Sequence, residues 1–369
     1  MTFATDTDYM RLALRLARKG EGRVNPNPLV GAVIVRDGVI IGQGYHQQFG
    51  GPHAERMALA SLTEPAKGAT LYVNLEPCCH HGKTPPCTDA IIASGIRRVV
   101  VGTPDPNPLV AGRGLEVLRN HGIEVTQDVL TEECARINQI FFHFIRTNRP
   151  YVIMKYAMTM DGKTATFTGQ SQWITGEAAR RMVHRDRNRI CALMTGVGTI
   201  LADDPLLTCR LPGGRDPVRI VCDTHLRTPL TARIVATAAR TPTILATCCE
   251  DKARHLPYEQ KGCKILTLPA WEGHVDLSVL MKRLGERKID GILLEGGGTL
   301  NWSALSRKIV NKVQAYIAPE IFGGLAAPSP VSGSGTALPD LAFLLKKPRI
   351  TRCGRDILLE SEVEPCLQD

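Results

Sequence analysis

The chain has 369 residues, 43% of them hydrophobic and 22% charged, with a formal net charge of +9. That length suits two domains, the apolar content excludes a mainly disordered chain, and no run of eighteen apolar residues marks a membrane span. Twelve cysteines are too few for a disulfide-stapled secreted scaffold, and no basic segment followed by an apolar run opens the chain, so a cytoplasmic location is expected. The first 150 residues are close to charge balance. Most of the cationic excess lies beyond them, with eight arginines against four acids between 180 and 219. A few such arginines suit a small phosphorylated substrate, whereas a nucleic-acid surface needs a continuous basic patch.

In chain order, Met10, Ala13, Leu14 and Ala17 recur at helical spacing and predict a helix over 9–19. Asn25-Pro26-Asn27-Pro28 forms a turn. Val30 to Ile41 reads as two strands around Asp37-Gly38, a hairpin signal. A helix over 54–63, a strand over 70–75, a helix over 88–94, a strand over 98–101 and helices over 113–121 and 132–146 follow. A second domain starts near Arg149-Pro150, which gives domains of 1–147 and 148–369. Its strands are expected at 151–155, 190–195, 218–222, 243–247, 264–267, 291–294 and 313–318, with helices between several of them, including 177–186 and 303–310. The Gly/Ala/Pro/Ser-rich stretch 323–339 reads as a long loop. Both domains are α/β. One echo stands out: Asn25-Pro-Asn-Pro-Leu-Val-Gly31 against Asp105-Pro-Asn-Pro-Leu-Val-Ala-Gly112. It is either plain turn chemistry or two loops that present side chains to one pocket.

The strongest chemical signal is His53-Ala54-Glu55, then Pro77-Cys78, then Cys87. One imidazole and two thiolates suit zinc and leave its fourth position for water. His53 and Glu55 sit at a helix start, so His53 can bind the metal while Glu55 reaches the water. Pro77 is expected to open a helix whose free N–H groups favour the Cys78 thiolate. Zinc makes hydroxide available near neutral pH, and Glu55 can carry the proton to a ring nitrogen and a leaving amine, the pattern of a hydrolytic deaminase. A closed structural site, with Cys79, His80 or His81 as fourth ligand, stays open at this point, although it has no need of Glu55.

With Asn25–Gly31, His53-Ala54-Glu55, Leu75-Glu-Pro-Cys-Cys-His-His-Gly-Lys-Thr-Pro-Pro-Cys87 and Asp105–Gly112, the first domain resembles the deaminase domain of the bifunctional riboflavin-biosynthesis deaminase/reductases. Most nucleoside and tRNA deaminases have two residues between their cysteines; here there are eight. The resemblance implies a cytidine-deaminase-like fold and deamination of a 2,5-diamino-6-(5-phosphoribosylamino)pyrimidin-4-one. It implies that Glu55 is catalytic, that His53, Cys78 and Cys87 hold one Zn2+, and that Asn27, His46, His80, Lys83, Asp105 and Asn107 line the substrate pocket. The cysteine gap, the near-neutral first domain and the second half oppose a tRNA or nucleobase deaminase fused to an unrelated module, and Glu55 and the second half oppose a zinc-stabilised regulatory module that senses a phosphorylated metabolite.

In the second domain Glu295-Gly296-Gly297-Gly298-Thr299 and Thr195-Gly-Val-Gly-Thr199 each follow a strand, as either phosphate-approach turns or plain tight turns. Lys155–Lys163, Ser171–Thr175, Leu201–Pro205, Leu207–Arg210 and Glu295–Thr299 together resemble the reductase domain of the same family, whose fold is dihydrofolate-reductase-like. The resemblance implies NADPH-dependent reduction of the ribosyl group to ribityl, with hydride delivered to ribose C1 through the imine tautomer. By that pattern Ala157, Trp173, Thr199, Asp203, Gly296, Gly297 and Gly298 contact the cofactor. Lys155, Ser171, Arg187, Leu207, Arg210 and Glu295 contact the substrate. The forks of Arg187 and Arg210 suit a phosphate. Asp203 either holds ribose hydroxyls or assists proton transfer. Small phosphorylated pyrimidines are the expected partners, without nucleic acid or membrane, and a homo-oligomer is left open.

Overall fold

A computed structural model describes residues 5–81, 85–108 and 110–364 and divides the chain into two compact units, Met1–Asn148 and Arg149–Asp369. The first unit runs α1 (Asp6–Ala17), β1 (Gly31–Arg36), β2 (Val39–Tyr45), α2 (Ala54–Ala60), β3 (Thr70–Val73), α3 (Cys87–Ala93), β4 (Arg98–Val101), α4 (Arg113–Asn120), β5 (Glu124–Thr126), α5 (Thr131–Ile137) and α6 (Gln139–Thr147). Its sheet has the order β2-β1-β3-β4-β5, antiparallel across β2-β1-β3 and parallel across β3-β4-β5. Asp37 and Gly38 both take positive φ, 49° and 79°, as the tight hairpin between β1 and β2 requires.

Both faces of this sheet are covered, as the period of two along β1 dictates. Ala32 and Ile34 pack with Ala54, Ala58, Ile91, Leu115 and Leu118 from α2, α3 and α4. Val33 and Val35 face Tyr9, Met10, Ala13 and Leu14 of α1. Each fully buried leucine or isoleucine here contributes about 1.5–3 kcal/mol. The helix expected over 132–146 is interrupted at Asn138, whose side-chain oxygen accepts the Leu29 N–H at 2.8 Å while its amide donates to the Leu29 carbonyl at 3.0 Å. That distant contact overrides the local helical pattern. No helix opens at Pro77; residues 76–79 are irregular, and the helix beside the cysteines starts at Cys87.

The second unit runs β6 (Tyr151–Thr159), α7 (Glu177–Arg189), β7 (Ala192–Gly196), α8 (Val197–Asp203), β8 (Val218–Cys222), α9 (Arg233–Ala236), β9 (Thr243–Thr247), α10 (Lys252–Gln260), β10 (Cys263–Thr267), β11 (Ala270–Trp271), β12 (His274–Val275), α11 (Leu277–Glu286), β13 (Gly291–Leu294), α12 (Gly298–Ser306), β14 (Val310–Ala318), β15 (Arg349–Cys353) and β16 (Asp356–Glu362). The main sheet has the order β10-β9-β8-β7-β13-β6-β14-β16-β15. From β10 to β14 it is parallel, and β16 and β15 add an antiparallel edge. Met154, Met194, Ile220, Ile292 and Leu294 pack on α11 and α12, and Leu193, Val221 and Leu245 pack on α8, α9 and α10.

The chain lays down β6 to β10 and then returns to insert β13 between β7 and β6. In a sheet of this kind such a reversal marks the usual ligand position, here at the carboxyl ends of β7, β13 and β6. The Thr195–Thr199 turn is in fact the start of α8, and α12 starts at Gly298 rather than 303, with Gly297 as its N-cap. Ile309 and Val310, expected to end a helix, lead into β14, because Arg307 closes α12 and Lys308 turns the chain with φ 51°.

Candidate active sites

In the first unit, His53 is the extended N-cap residue of α2, which puts Glu55 in the first turn of the helix. Cys78 lies on the irregular segment that leaves β3, and Cys87 opens α3. His53 Nδ1 is 3.4 Å from Cys78 Sγ and 3.3 Å from Cys87 Sγ, and the three donor atoms lie within 4.8 Å of one another. Among the described residues no fourth side chain joins this cluster, so the set is that of a zinc site with one position left for a reactant. The closed alternative through Cys79, His80 or His81 is not what the structure builds. The N–H groups of Cys87 and Thr88 donate to the Cys78 carbonyl at 3.0 and 3.2 Å, and the Cys87 N–H points at Cys78 Sγ at 3.4 Å. The thiolate is therefore favoured by the start of α3 and not by a helix at Pro77. The hydrogen bond from Cys87, working against burial and helped by His53, holds Cys78 far below the ordinary thiol range.

Glu55 is 3% exposed. Burial and the neighbouring Cys78 charge push its carboxyl up to about 7, where a group can both take and return a proton near neutrality. His46 is buried with its ring edge-on to His53 at 5.5 Å between centroids. Its Nδ1 donates to the Pro52 carbonyl at 2.9 Å, so its Nε2 accepts from the Asn27 amide at 3.0 Å. This fixes one neutral tautomer, and burial lowers the ring's pKa in keeping with it. The structure thus brings Asn27 and His46 to the metal ligands. His80 is half-buried with Nδ1 enclosed and unpartnered. Asp105 is buried and pushed up to about 6 by burial, and its Oδ1 accepts the Asn107 N–H at 2.8 Å. Lys83 lies outside the described residues.

Three buried polar residues escaped the sequence reading. Asn74 accepts the Gly31 N–H at 2.7 Å and donates to the Leu29 carbonyl at 2.9 Å, and Asn138 holds Leu29 from the other side. Glu76 accepts N–H groups from Asp105, Gly112 and Gly114 at 3.2, 3.0 and 3.0 Å. For Asn74 and Glu76 the one available signal was their alternation with Val73 and Leu75 just before Pro77-Cys78.

In the second unit, Glu295 follows the last residue of β13 and Lys155 follows Met154, the β6 partner of Leu294, so register puts the two side by side. The Glu295 carboxylate accepts from Arg187 Nε and Nη2 at 2.7 and 2.9 Å and lies 3.8 Å from the Lys155 ammonium. Burial opposes the charge, but Arg187 and Lys155 outweigh it and hold the Glu295 carboxyl down at about 2. Burial lowers the Lys155 pKa despite Glu295. Arg187 also donates to the Thr208 carbonyl at 3.0 Å. Three of the five N–H donors of its guanidinium are thus engaged by Glu295 and Thr208. Arg210 is exposed, and among the described residues its guanidinium makes no hydrogen bond; its backbone N–H donates to His184 Nδ1 at 3.3 Å.

Thr199 lies in the first turn of α8 and Asp203 is its exposed last residue. Gly297 and Gly298 open α12 beside them, because β7 and β13 are neighbours. A Cβ on Gly198 or Gly297 would meet nothing within 4 Å, so the backbone of both helix starts is accessible, as a dinucleotide phosphate requires. Gly298 has a different reason: a Cβ there would fall 2.6 Å from Ser332 Oγ and 2.9 Å from the Ser329 carbonyl. Gly296 is hemmed in by Asn301 and Leu300 in the same way. Ala157 is in β6, Ser171 is half-buried, and Leu207 is buried with φ 53°. Trp173 is 57% exposed, with the Arg180 guanidinium 4.7 Å from its ring centroid. Asp161, which the sequence reading left without a role, accepts N–H groups from Phe322 and Gly323 at 3.2 and 2.7 Å and anchors the start of the long loop.

Residues 150–359 match the family model of the RibD C-terminal domain, and residues 4–103 match that of the cytidine and deoxycytidylate deaminase zinc-binding region. Riboflavin biosynthesis protein RibD of Actinobacillus pleuropneumoniae is 52% identical over 356 residues, covering 96% of this chain and 95% of its own length. The chain belongs to the RibD family. Among solved structures, Acinetobacter baumannii RibD is 35% identical with a TM-score of 0.86, covering 98% of this chain and 99% of its own. A Thermotoga maritima diaminohydroxyphosphoribosylaminopyrimidine deaminase/5-amino-6-(5-phosphoribosylamino)uracil reductase is 40% identical with a TM-score of 0.86, covering 97% and 99%. RibD membership makes the chain a bifunctional enzyme of riboflavin biosynthesis, a zinc-dependent deaminase and an NADPH-dependent reductase, with a cytidine-deaminase-like first unit and a dihydrofolate-reductase-like second. No helix among the described residues is long and apolar enough to cross a membrane.

Proposed function

We propose that the first unit deaminates 2,5-diamino-6-(5-phosphoribosylamino)pyrimidin-4-one and that the second reduces the resulting 5-amino-6-(5-phosphoribosylamino)uracil to its ribityl form. The observation that carries this reading is the buried Glu55 carboxyl beside the His53–Cys78–Cys87 donor set. Zinc held there, when bound, activates water as a nucleophile near neutral pH. Glu55 takes one water proton and passes it to the ring nitrogen as the oxygen adds to the ring carbon; it then relays the proton of the added hydroxyl to the amine, so that the C–N bond breaks, the carbonyl forms and ammonia leaves. Asn27, with its amide oriented by neutral His46, hydrogen-bonds the pyrimidine edge, and His80, Asp105, Asn107 and Lys83 complete the pocket.

In the second unit NADPH, when bound, supplies hydride. Thr199, Asp203 and the Gly296–Gly298 turn hold the cofactor, with Ala157 and Trp173 beside it. Lys155, kept protonated by Glu295, gives a proton to the ribose ring oxygen as the C1–O bond breaks, and its amine takes back the glycosidic N–H proton, which leaves the imine and restores the ammonium that reprotonates the nitrogen in the next step. Hydride then adds to C1 and a proton to the nitrogen. Ser171, Leu207 and Arg210 bind the phosphorylated chain, and Arg187 orients Glu295. Supplying the diamino substrate to the purified protein and following ammonia release and NADPH oxidation separately tests the reading. Ammonia without any NADPH oxidation, or the reverse, would contradict it.

A further inference from the structure

The segment that leaves β3 carries polar side chains at every second position: Asn74, Glu76 and Cys78. Asn74 and Glu76 are 0% and 3% exposed. Asn74 binds the backbone of Leu29 and Gly31, the end of the first Asn-Pro loop. Glu76 binds the second such loop at both ends: its own N–H donates to the Thr103 carbonyl at 3.0 Å, and its carboxylate accepts from Asp105, Gly112 and Gly114. Two of those donors are the N-cap and second residues of α4, a helix start that favours a buried anion. Gly114 has to be glycine, because a Cβ would lie 2.2 Å from the Pro77 carbonyl. The second loop is thus pressed directly against the residue that precedes the metal ligand.

We infer that Asn74 and Glu76 are positioning residues that align the two echoed loops, and with them Asn27, Asp105 and Asn107, on the metal bound through Cys78. The echo in the sequence then has a physical meaning: two similar loops are gripped by neighbouring rungs of one strand exit. This inference rests on the reading that those loops contact the pyrimidine. Glu76 touches no reacting atom; it acts through the loop backbone.

The test compares Glu76→Gln, Asn107→Ala and the double variant, with Asn74→Asp as a second probe of the other loop. An amide at 76 turns an NH2 toward a backbone N–H that needs an acceptor. Glu76→Gln is expected to raise KM for the diamino substrate about tenfold or more, with zinc stoichiometry and reductase activity at parent levels. Because Glu76 holds the loop that carries Asn107, the double variant should fall short of the product of the two single effects. Asn74→Asp, which sets an oxygen against the Leu29 carbonyl, should raise the same KM. Loss of zinc in Glu76→Gln, an unchanged KM, or full additivity would overturn the inference. If Asn107→Ala itself leaves KM unchanged, the loop-contact reading fails instead.

Discussion

Replacing Glu295 by glutamine removes the carboxylate that lies between two buried cations. Arg187 and Lys155 are 12% and 15% exposed at the side chain, so water cannot take over the role of the anion. The Lys155–Glu295 separation of 3.8 Å at an effective dielectric constant of about 20 is worth about 4 kcal/mol in favour of the protonated amine. Burial and Arg187 already lower the Lys155 pKa, and Glu295 is the largest opposing influence. In Glu295→Gln the amine should therefore lose its proton at a lower pH than in the parent. NADPH oxidation with the deaminated substrate should then fall with rising pH, starting at a lower pH than in the parent. Breaking the buried pair also costs about 3–5 kcal/mol, so the second unit should melt earlier. Deaminase activity, carried by the other unit, reports whether the chain is otherwise intact. The parent's Glu295 pKa is depressed to about 2, so its contribution to stability is complete above the ordinary carboxyl range and is lost as pH falls toward 2. The glutamine variant lacks that acid loss. A reductase pH profile that superimposes on the parent's would refute the proton role of Lys155.

Cys78→Ser should reduce zinc from about one per chain to a trace and abolish ammonia release, whereas Cys79→Ser, outside the donor cluster, should keep both; metal analysis and an ammonia assay decide. Arg210→Lys keeps the charge but loses the fork, so KM for the reductase substrate should rise about tenfold while KM for NADPH stays put. Equal weakening of both would assign Arg210 to the cofactor or to the fold.

The metal ligands were legible because each sits in a short motif whose chemistry is local: His53 two residues before Glu55, and Cys87 at the start of a helix. The loops around them were legible as turns, but what grips them was not. Asn74, Glu76 and Asn138 act on backbone groups dozens of residues away, and no local pattern announces such a bond. The same limit explains the pairing of Arg187 with Glu295, which lies 108 residues further on. It also explains the break at Asn138, where a hydrogen bond to Leu29 defeats a continuous helical pattern. The hairpin of β15 and β16 was missed because its outer strand, Arg-Ile-Thr-Arg-Cys, is mostly exposed and lacks a buried stripe.

Glu55→Gln separates the two chemistries most directly. The amide is nearly isosteric and no ligand changes, so zinc should stay, but it cannot take or return the water proton, and deamination should fall by about 10²–10⁴-fold or more. NADPH oxidation is then measured with each substrate in turn. With the deaminated ribosylaminouracil phosphate the rate should match the parent's, and with the diamino substrate it should vanish. Loss of reduction with the deaminated substrate would contradict independent sites, and brisk oxidation with the diamino substrate would contradict deamination as the first step.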